Sequence, residues 1–249
     1  VDWHNARLAS RFDHVIATTA FASREFEDIK VNNLVNIPLG VDLETFSPKL
    51  RNSQLRKELL KEQEVLLIHL GRMSSEKNPQ NSILTLIELR KRGVNARLVY
   101  VGMGPMFAKL KQLAADHPVT FLGYIVDRKK LAEIMASADV SIAPGPIETF
   151  CLAALESLAS GTPVVASATS AVGEFLMLDS RSPVGAIAEN KPEAFADAIQ
   201  NVLLRKNQDP NFTQNCHHQA ENFPWSSTLM MMLRLHGAGR EVTALRRNL

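Results

Sequence analysis

Short apolar runs alternate along the chain with longer segments whose apolar residues recur every three or four positions. The runs are strand-sized and lie at 14–19, 34–40, 64–71, 96–102, 119–123, 139–144, 162–167 and 184–189. The segments with helical spacing lie at 20–30, 81–93, 104–117, 128–138, 149–161, 171–178 and 191–206. Runs that are apolar at nearly every position are typical of parallel strands buried on both faces. The pattern therefore predicts an α/β protein with a parallel sheet and helices on both of its faces.

The stretch 40–63 interrupts this alternation with turn residues, a proline and a run of charges, and it is the candidate boundary between two units. We predict that residues 1–47 are the end of one Rossmann-like unit with its linker, and that a complete second unit follows. The first residue is not Met and lies in a helical pattern. We therefore expect the chain to begin partway through a longer protein.

Composition narrows the class of protein. Of 249 residues, 45% are hydrophobic and 22% are charged, as in an ordinary globular protein, and no run reaches the roughly 20 apolar residues of a membrane span. The net charge of +2 is too small to favour nucleic acid as the main ligand. Two cysteines, Cys151 and Cys216, fit a reducing compartment rather than a disulfide scaffold. Cys216, His217 and His218 lack a second ligand pair at a useful spacing, which favours a solvated helix surface over a metal site.

Candidate chemistry lies in the loops after the strands, because parallel sheets bind ligands at the carboxyl ends of their strands. Gly71 ends the third run, and Arg72 and Lys77 follow before a helix. Two cations beside the free N–H groups of a helix N-terminus predict a phosphate-type anion site, with a solvated basic loop as the alternative. Gly102-x-Gly104 suits either close approach to a ligand or a plain strand–helix turn, and it lacks the last glycine of the dinucleotide fingerprint.

The loop after Gly123 carries Tyr124 and Ile125, which could form one wall for a flat base. Asp127 could accept hydrogen bonds from the donor edge of guanine, and Lys130 could reach a carbonyl oxygen of the same base. The alternative is that Asp127 caps the following helix and the lysine is solvated.

Two carboxylates flank the start of the next predicted helix: Glu148 precedes it, and Glu156 lies two turns inside, near the rim of the same pocket. The unpaired donors of this helix would be the N–H groups of Phe150, Cys151 and Leu152. They favour an anion, either the Glu148 carboxylate or a bound diphosphate. Glu156 could bind both hydroxyls of a ribose.

Four segments occur in the order GRMSSEKNP, VGMGP, FLGYI and ETFCLAALESLASGTPVVAS. In this order they resemble the C-terminal domain of retaining glycosyltransferases of the GT-B fold, specifically family 4. NIPLGVDLETFSP resembles the segment that joins the two Rossmann-like domains of that family, and FPWSSTLMMMLRLH resembles its final crossover helix. The resemblance covers essentially the whole chain. It implies a remnant of the acceptor domain at 1–47, a donor nucleotide-sugar domain at 48–224, and a crossover helix and tail at 225–249.

The resemblance also implies roles for individual residues. Arg72 and Lys77 correspond to the pair that holds the donor diphosphate. Glu148 corresponds to the first glutamate of the E-x7-E motif, which contacts the transferred sugar, and Glu156 to the second, which binds the ribose. Backbone groups at the start of the following helix lie against the sugar and phosphates, with Cys151 where the family often has Gly.

Within the family, the chain resembles actinobacterial mannosyltransferases that act on phosphatidylinositol mannosides. Asp127 and Lys130 match the acid and lysine of members that use GDP-mannose, which favours that donor over a UDP-sugar. The implied reaction is retaining transfer of mannose to a lipid-linked or glycan acceptor, without a metal or other cofactor. The implied location is the cytoplasm, with peripheral contact at the inner face of the plasma membrane.

Most of the acceptor domain is missing from the matched segments. We therefore expect this chain alone to bind the donor and to transfer little or no sugar. A UDP-sugar-dependent family 4 enzyme and a non-catalytic nucleotide-sugar-binding fragment remain as alternatives.

Overall fold

The computed structural model describes residues 2–178 and 183–237. Its strands are β1 (Val15–Ala17), β2 (Leu34–Asn36), β3 (Val65–Leu70), β4 (Ala96–Val101), β5 (Val119–Phe121), β6 (Val140–Ala143), β7 (Val164–Ser167) and β8 (Gly185–Ala188). Its helices are α1 (Asp2–Ala9), α2 (Ala20–Asp28), α3 (Ser53–Leu60), α4 (Pro79–Lys91), α5 (Phe107–Leu113), α6 (Arg128–Ser137), α7 (Leu152–Ala159), α8 (Val172–Leu176), α9 (Pro192–Gln208), α10 (Phe212–Glu221) and α11 (Trp225–Leu235). Every strand falls inside one of the apolar runs, which confirms the strand predictions.

Six strands form one parallel sheet in the order β5-β4-β3-β6-β7-β8. Strand β3 pairs with β4, with Val65 opposite Ala96, and with β6, with Leu67 opposite Val140. The strand order reverses between β3 and β6, and ligands of such sheets bind at the carboxyl ends beside this switch point. The predicted parallel α/β sheet is confirmed.

The centre of the core lies at β3 and β4, because both strands are apolar and enclosed by helices. Leu66, Leu67 and Ile68 are fully buried in succession, and every residue of β4 is buried. The polar exception in β3 is His69, whose Nδ1 lies 2.9 Å from Ser82 Oγ. Burial, with a smaller contribution from nearby Lys77, lowers the pKa of the His69 imidazole to about 3, so that the ring is neutral.

A partly buried ion network lies at the opposite end of the sheet, just before β6. The Asp139 carboxylate accepts hydrogen bonds from Arg56 on α3 (2.7 Å) and from the Leu66 backbone N–H (2.8 Å). Lys206 Nζ on α9 lies 3.5 Å from the same carboxylate. Burial lowers the pKa of Lys206, and Asp139 opposes that shift. Helix α3, which the sequence analysis treated only as part of a charged boundary, is therefore fastened to the sheet through its charge.

Strands β1 and β2, near the start of the chain, form a separate two-stranded parallel sheet in which Val15 lies opposite Leu34. The chain crosses toward the larger sheet near Val41 and returns near Phe223, and the Val41 N–H donates to Phe223 O at 2.8 Å. A β-carbon on Gly40 would lie 2.4 Å from the Cα of Trp225, so only glycine fits between the two crossings. The domain boundaries expected at 47 and 224 stay a prediction.

Two helices outside the site, α5 and α10, differ from the predictions. Helix α5 begins at Phe107 rather than at 104, because the preceding residues form the turn after β4. The predicted solvated surface is wrong for Cys216, which is fully buried where α10 packs against α7, with its Sγ 3.7 Å from Val184 O. On the same helix His217 is half-buried and His218 is exposed.

Candidate active site

The carboxyl ends of β3, β4 and β5 come together near the switch point, where backbone hydrogen bonds join their loops. The Gly71 N–H donates to Val101 O at 3.0 Å, and the Gly102 N–H donates to Gly123 O at 2.7 Å. A β-carbon on Gly102 would lie 2.1 Å from Gly71 O, and its φ of +128° is a conformation that favours glycine. The glycine therefore permits close approach, but to the neighbouring loop of the protein itself.

A cavity of about 410 Å³ opens at these strand ends, within the usual size range of small-molecule sites. Its wall brings together six of the predicted site residues: Gly71, Arg72, Gly102, Tyr124, Ile125 and Glu156. Apolar side chains of Leu131 and Met135 on α6 complete the wall. Apolar walls with one cation and one carboxylate suit a ligand that joins a flat ring to hydroxylated and anionic groups.

Glu156 lies on the second turn of α7 with its side chain 16% exposed, so a partner is expected for its charge. That partner is Arg128, the first residue of α6, whose Nη2 lies 3.1 Å from Glu156 Oε1. Burial raises the pKa of Glu156, and the hydrogen bond and charge of Arg128 oppose the shift. Sequence reasoning missed Arg128, although the need for a partner to a buried carboxylate was a signal for such a cation.

Glu148 and Lys77, to which the resemblance assigns different parts of a donor, are paired with each other. Lys77 Nζ lies 2.6 Å from Glu148 Oε1 and 2.7 Å from Oε2. The Glu148 side chain is 11% exposed, and a β-carbon on Gly145 would lie 2.9 Å from Oε1, so this glycine makes room for the carboxylate. The pair links the loop after β3 to the loop after β6, across the switch point. Arg72, by contrast, lies exposed in the cavity wall.

The helix after Glu148 begins later than predicted. It starts at Leu152 rather than at 149, because Cys151 has a left-handed backbone with φ +69° and ψ 74°. The side chain of Cys151, the N-cap residue, makes no capping hydrogen bond at this end of α7. Of the three predicted donors, Phe150 lies outside the helix, with its ring buried 5.6 Å from that of Phe175. Burial raises the pKa of the Cys151 thiol to about 12, which keeps it protonated.

Asp127 is the N-cap of α6, since its Oδ1 accepts hydrogen bonds from the N–H groups of Lys129 (2.9 Å) and Lys130 (3.1 Å). The capping interpretation is therefore confirmed, and binding of a base by Asp127 and Lys130 stays a prediction. Lys130 Nζ lies 3.8 Å from Glu133, a loose contact on an exposed helix face. Tyr124 lines the cavity and is 76% exposed, so much of its ring is open to solvent in the absence of a ligand.

The N-terminal unit touches the loop that carries Glu148, a contact that sequence reasoning missed. Thr19 Oγ1 donates to Thr149 O at 2.8 Å. The Glu174 carboxylate on α8 accepts from the first two N–H groups of α2, those of Ala20 (2.9 Å) and Phe21 (2.6 Å). Since an anion at a helix N-terminus is stabilising, Glu174 serves α2 as a cap supplied by the other unit.

Within residues 2–178 and 183–237, no three His, Cys, Asp or Glu side chains lie close enough together to hold a metal ion. His218 Nδ1 instead lies 2.6 Å from Glu221 on the same helix. Among the helices of those two ranges, none has both the length and the hydrophobicity needed to cross a bilayer.

Comparison with known proteins gives relatives of this chain. It is 45% identical over 237 residues to the GDP-mannose-dependent alpha-(1-6)-phosphatidylinositol dimannoside mannosyltransferase of Mycobacterium tuberculosis, covering 95% of this chain and 61% of that protein. It is 31% identical over 208 residues to a D-inositol 3-phosphate glycosyltransferase of Mycobacteroides abscessus, covering 80% of this chain and 45% of that protein. The chain therefore spans less than two thirds of the length of these relatives.

Two solved structures share the fold. The Anabaena protein HepE in complex with UDP and glucose is 19% identical with a TM-score of 0.76, covering 100% of this chain and 67% of that chain. The sucrose-phosphate synthase of Thermosynechococcus elongatus is 24% identical with a TM-score of 0.77, covering 98% of this chain and 62% of that chain. These likenesses confirm the predicted GT-B fold. The family model for group 1 glycosyl transferases matches residues 51–219, more than half of the chain, and the chain belongs to that family.

Proposed function

We propose that this chain is the donor-binding part of a retaining mannosyltransferase. The enzyme would take mannose from GDP-mannose and deliver it to a lipid-linked acceptor of the phosphatidylinositol mannoside class. The observation that carries this proposal is the 45% identity, over 95% of this chain, to a mycobacterial enzyme whose name states both the donor and the acceptor.

The cavity supports a nucleotide-sugar donor. Tyr124 and Ile125 would face the base, and Glu156 would accept hydrogen bonds from the ribose hydroxyls. Arg72, in the same wall, would bind the diphosphate. The sugar would then lie toward Glu148, because Lys77 and Glu148 pair across the switch point between β3 and β6.

The chemistry follows from these positions. The bond from the anomeric carbon to the diphosphate oxygen breaks, and a bond to the acceptor oxygen forms on the same face of the sugar. The acceptor hydroxyl passes its proton to the departing diphosphate oxygen, which lies on that face. Negative charge grows on the leaving diphosphate, where Arg72 and Lys77 stabilise it. Lys77 holds Glu148 by both carboxylate oxygens, so that Glu148 orients the sugar, a positioning role.

The first test is calorimetric titration of this chain with GDP, UDP and ADP. We expect GDP to bind most tightly and Glu156→Ala to weaken that binding. The matched control is Glu62→Ala, an exposed glutamate beside the opposite end of β3, which should bind GDP as the parent chain does. If no nucleotide binds to a chain that still gives a cooperative thermal melt, the donor assignment is wrong.

The choice between GDP and UDP depends on Asp127. An alanine there would remove the helix cap as well as the charge, and loss of a cap costs about 1 kcal/mol by itself. Asp127→Asn keeps a capping oxygen and removes only the charge. We expect this variant to bind GDP more weakly and to leave the stability of α6 almost unchanged. Equal loss of GDP and UDP binding would argue against guanine recognition by this residue.

Transfer is tested separately from binding. This chain alone should transfer little or no labelled mannose to phosphatidylinositol mannoside in vesicles, and the protein extended by its acceptor domain should transfer it. Sedimentation of the extended protein with vesicles of anionic lipid would test the proposed contact with the cytoplasmic membrane face. Donor binding by an extended protein that transfers nothing would favour the non-catalytic alternative.

A further inference from the structure

We propose that Arg128 is a positioning residue for donor binding, acting through Glu156. The inference rests on the proposed function, because Glu156 is assigned there to the donor ribose. Arg128 is not among the residues to which the family resemblance gives a role.

Arg128 is the ion-pair partner of Glu156 within the described part of the chain. The two side chains come from neighbouring helices, and Nη2 of Arg128 lies 3.1 Å from Oε1 of Glu156. This contact leaves Oε2 for the ligand. An arginine on one oxygen restricts rotation of the carboxylate and so fixes the direction in which the other oxygen accepts.

The Arg128 guanidinium is also in contact with the linker, the segment that precedes residue 48. Its Cζ lies 5.0 Å from the centre of the Phe46 ring, which is fully buried. Asp42 lines the same surface pocket as Arg128, and Asp42 is fixed in turn because its Oδ1 accepts from the N–H groups of Glu44 (3.1 Å) and Thr45 (3.0 Å). The Arg128 side chain is 56% exposed, but a guanidinium that lies over a fixed ring loses less freedom when it binds a carboxylate than a guanidinium that is free in solvent.

The charged groups near Glu156 shift the pKa of its carboxyl in opposite directions. Burial and the Asp42 carboxylate raise the pKa of Glu156, and Arg128 lowers it. The nearby Cys151 thiol is protonated and contributes no charge. Without Arg128, the protonated form of Glu156 would persist to higher pH. A protonated carboxyl has one oxygen that donates and fewer sites that accept, whereas the proposed contact requires Oε2 to accept from the ribose hydroxyls while Oε1 accepts from Arg128.

The experiment measures GDP affinity from acidic to neutral pH for the parent chain, Arg128→Gln, Arg128→Lys and Glu156→Gln. Lys129→Gln is the matched control, because it removes one positive charge from the same exposed turn of α6. We expect Arg128→Gln to weaken GDP binding about threefold to tenfold near neutral pH. The loss should grow as the pH falls, and Arg128→Lys, which keeps the charge but not the planar guanidinium over Phe46, should recover part of the affinity. Lys129→Gln should resemble the parent chain.

A second ligand tests whether Arg128 affects GDP binding through the contact between Glu156 and the ribose. In 2′,3′-dideoxy-GDP the ribose hydroxyls are missing, so Arg128→Gln should weaken its binding much less than it weakens the binding of GDP. Equal losses for the two ligands, or a loss that is constant with pH, would mean that Arg128 contacts another part of the nucleotide, and the inference would be overturned.

Failure of this inference differs from failure of the proposed function. If Glu156→Gln binds GDP as tightly as the parent chain, the ribose role of Glu156 is wrong and the proposed site falls with it. If Glu156→Gln weakens binding and Arg128→Gln matches the Lys129→Gln control at every pH, only the role of Arg128 is wrong. A thermal melt of each variant identifies any loss that comes from unfolding.

Discussion

Replacing Gly102 by alanine should damage both the fold and the site. The added β-carbon would lie 2.1 Å from Gly71 O and 2.9 Å from Gly71 C, closer than the 3.0 Å that real β-carbons keep. Both contacts are with backbone, so no side chain can rotate out of the way. The loops after β3 and β4 must therefore separate by about an ångström, against the hydrogen bonds that join them.

The cost can be estimated from two contributions. Holding alanine at a positive φ costs about 1–2 kcal/mol, and forcing an extra methyl into a packed position costs about 1–3 kcal/mol. Gly102→Ala should thus lower the free energy of unfolding by about 2–5 kcal/mol. Gly93→Ala is the matched control, since Gly93 also has a positive φ, +82°, but nothing lies within 4 Å of its β-carbon position. The control should lose only the backbone contribution, about 1 kcal/mol.

The assay is urea unfolding followed by circular dichroism, with GDP titration on the same samples. Gly102→Ala should unfold at lower urea than Gly93→Ala, and at temperatures where it remains folded it should bind GDP more weakly, because Gly71 precedes Arg72. The reasoning fails if the two variants have equal free energies of unfolding, or if Gly102→Ala is destabilised and binds GDP with parent affinity.

Three further predictions concern stability, each measured by urea unfolding. Asp139→Ala should lower the free energy of unfolding by about 3 kcal/mol, because it leaves the partly buried cations Arg56 and Lys206 without their carboxylate. Asp139→Asn should cost less, because it keeps an oxygen that accepts from the Leu66 N–H, and an equal cost would refute that reasoning. Cys151→Gly should be more stable than Cys151→Ala by about 1 kcal/mol, because only glycine relieves the left-handed conformation; equal stabilities would refute that reasoning. For His69 the folded pKa lies below the unfolded value of 6.5, at about 3. The unfolded chain therefore binds this proton first, and the stability is lost as the pH falls from 6.5 toward 3, by about 1.4 kcal/mol per unit. His69→Asn should lack that slope, and an unchanged pH dependence would show that the imidazole is not held neutral.

The sheet could be predicted from sequence because a parallel strand with both faces buried must be apolar at nearly every position. The same reasoning placed the loops that form the cavity, since carboxyl ends of parallel strands meet at one edge. What failed was the start of α7. A glycine at 151 would have signalled a left-handed residue, and the cysteine that stands there gives no such sign.

Contacts distant in sequence could not be predicted from spacing. The partner of Glu156 is 28 positions away on another helix, and that of Lys77 is 71 positions away. That a buried carboxylate such as Glu156 needs a cationic partner can be predicted from sequence. Which arginine or lysine serves as that partner depends on how α6 and α7 pack. For Asp127, the helix cap and the proposed contact with a base would both use the side-chain carboxylate. The sequence alone therefore does not distinguish the two roles.

The side-by-side crossings at Val41 and Phe223 limit how this protein can be divided or recombined. Phe46 lies before the predicted boundary, yet it is fully buried among residues of the larger unit and supports Arg128. A chimaera joined at residue 47 would bring in a foreign linker and would put both that stack and the Val41 hydrogen bond at risk. Exchange of the N-terminal unit should therefore be made before Gly40, so that the linker and the larger unit are inherited together.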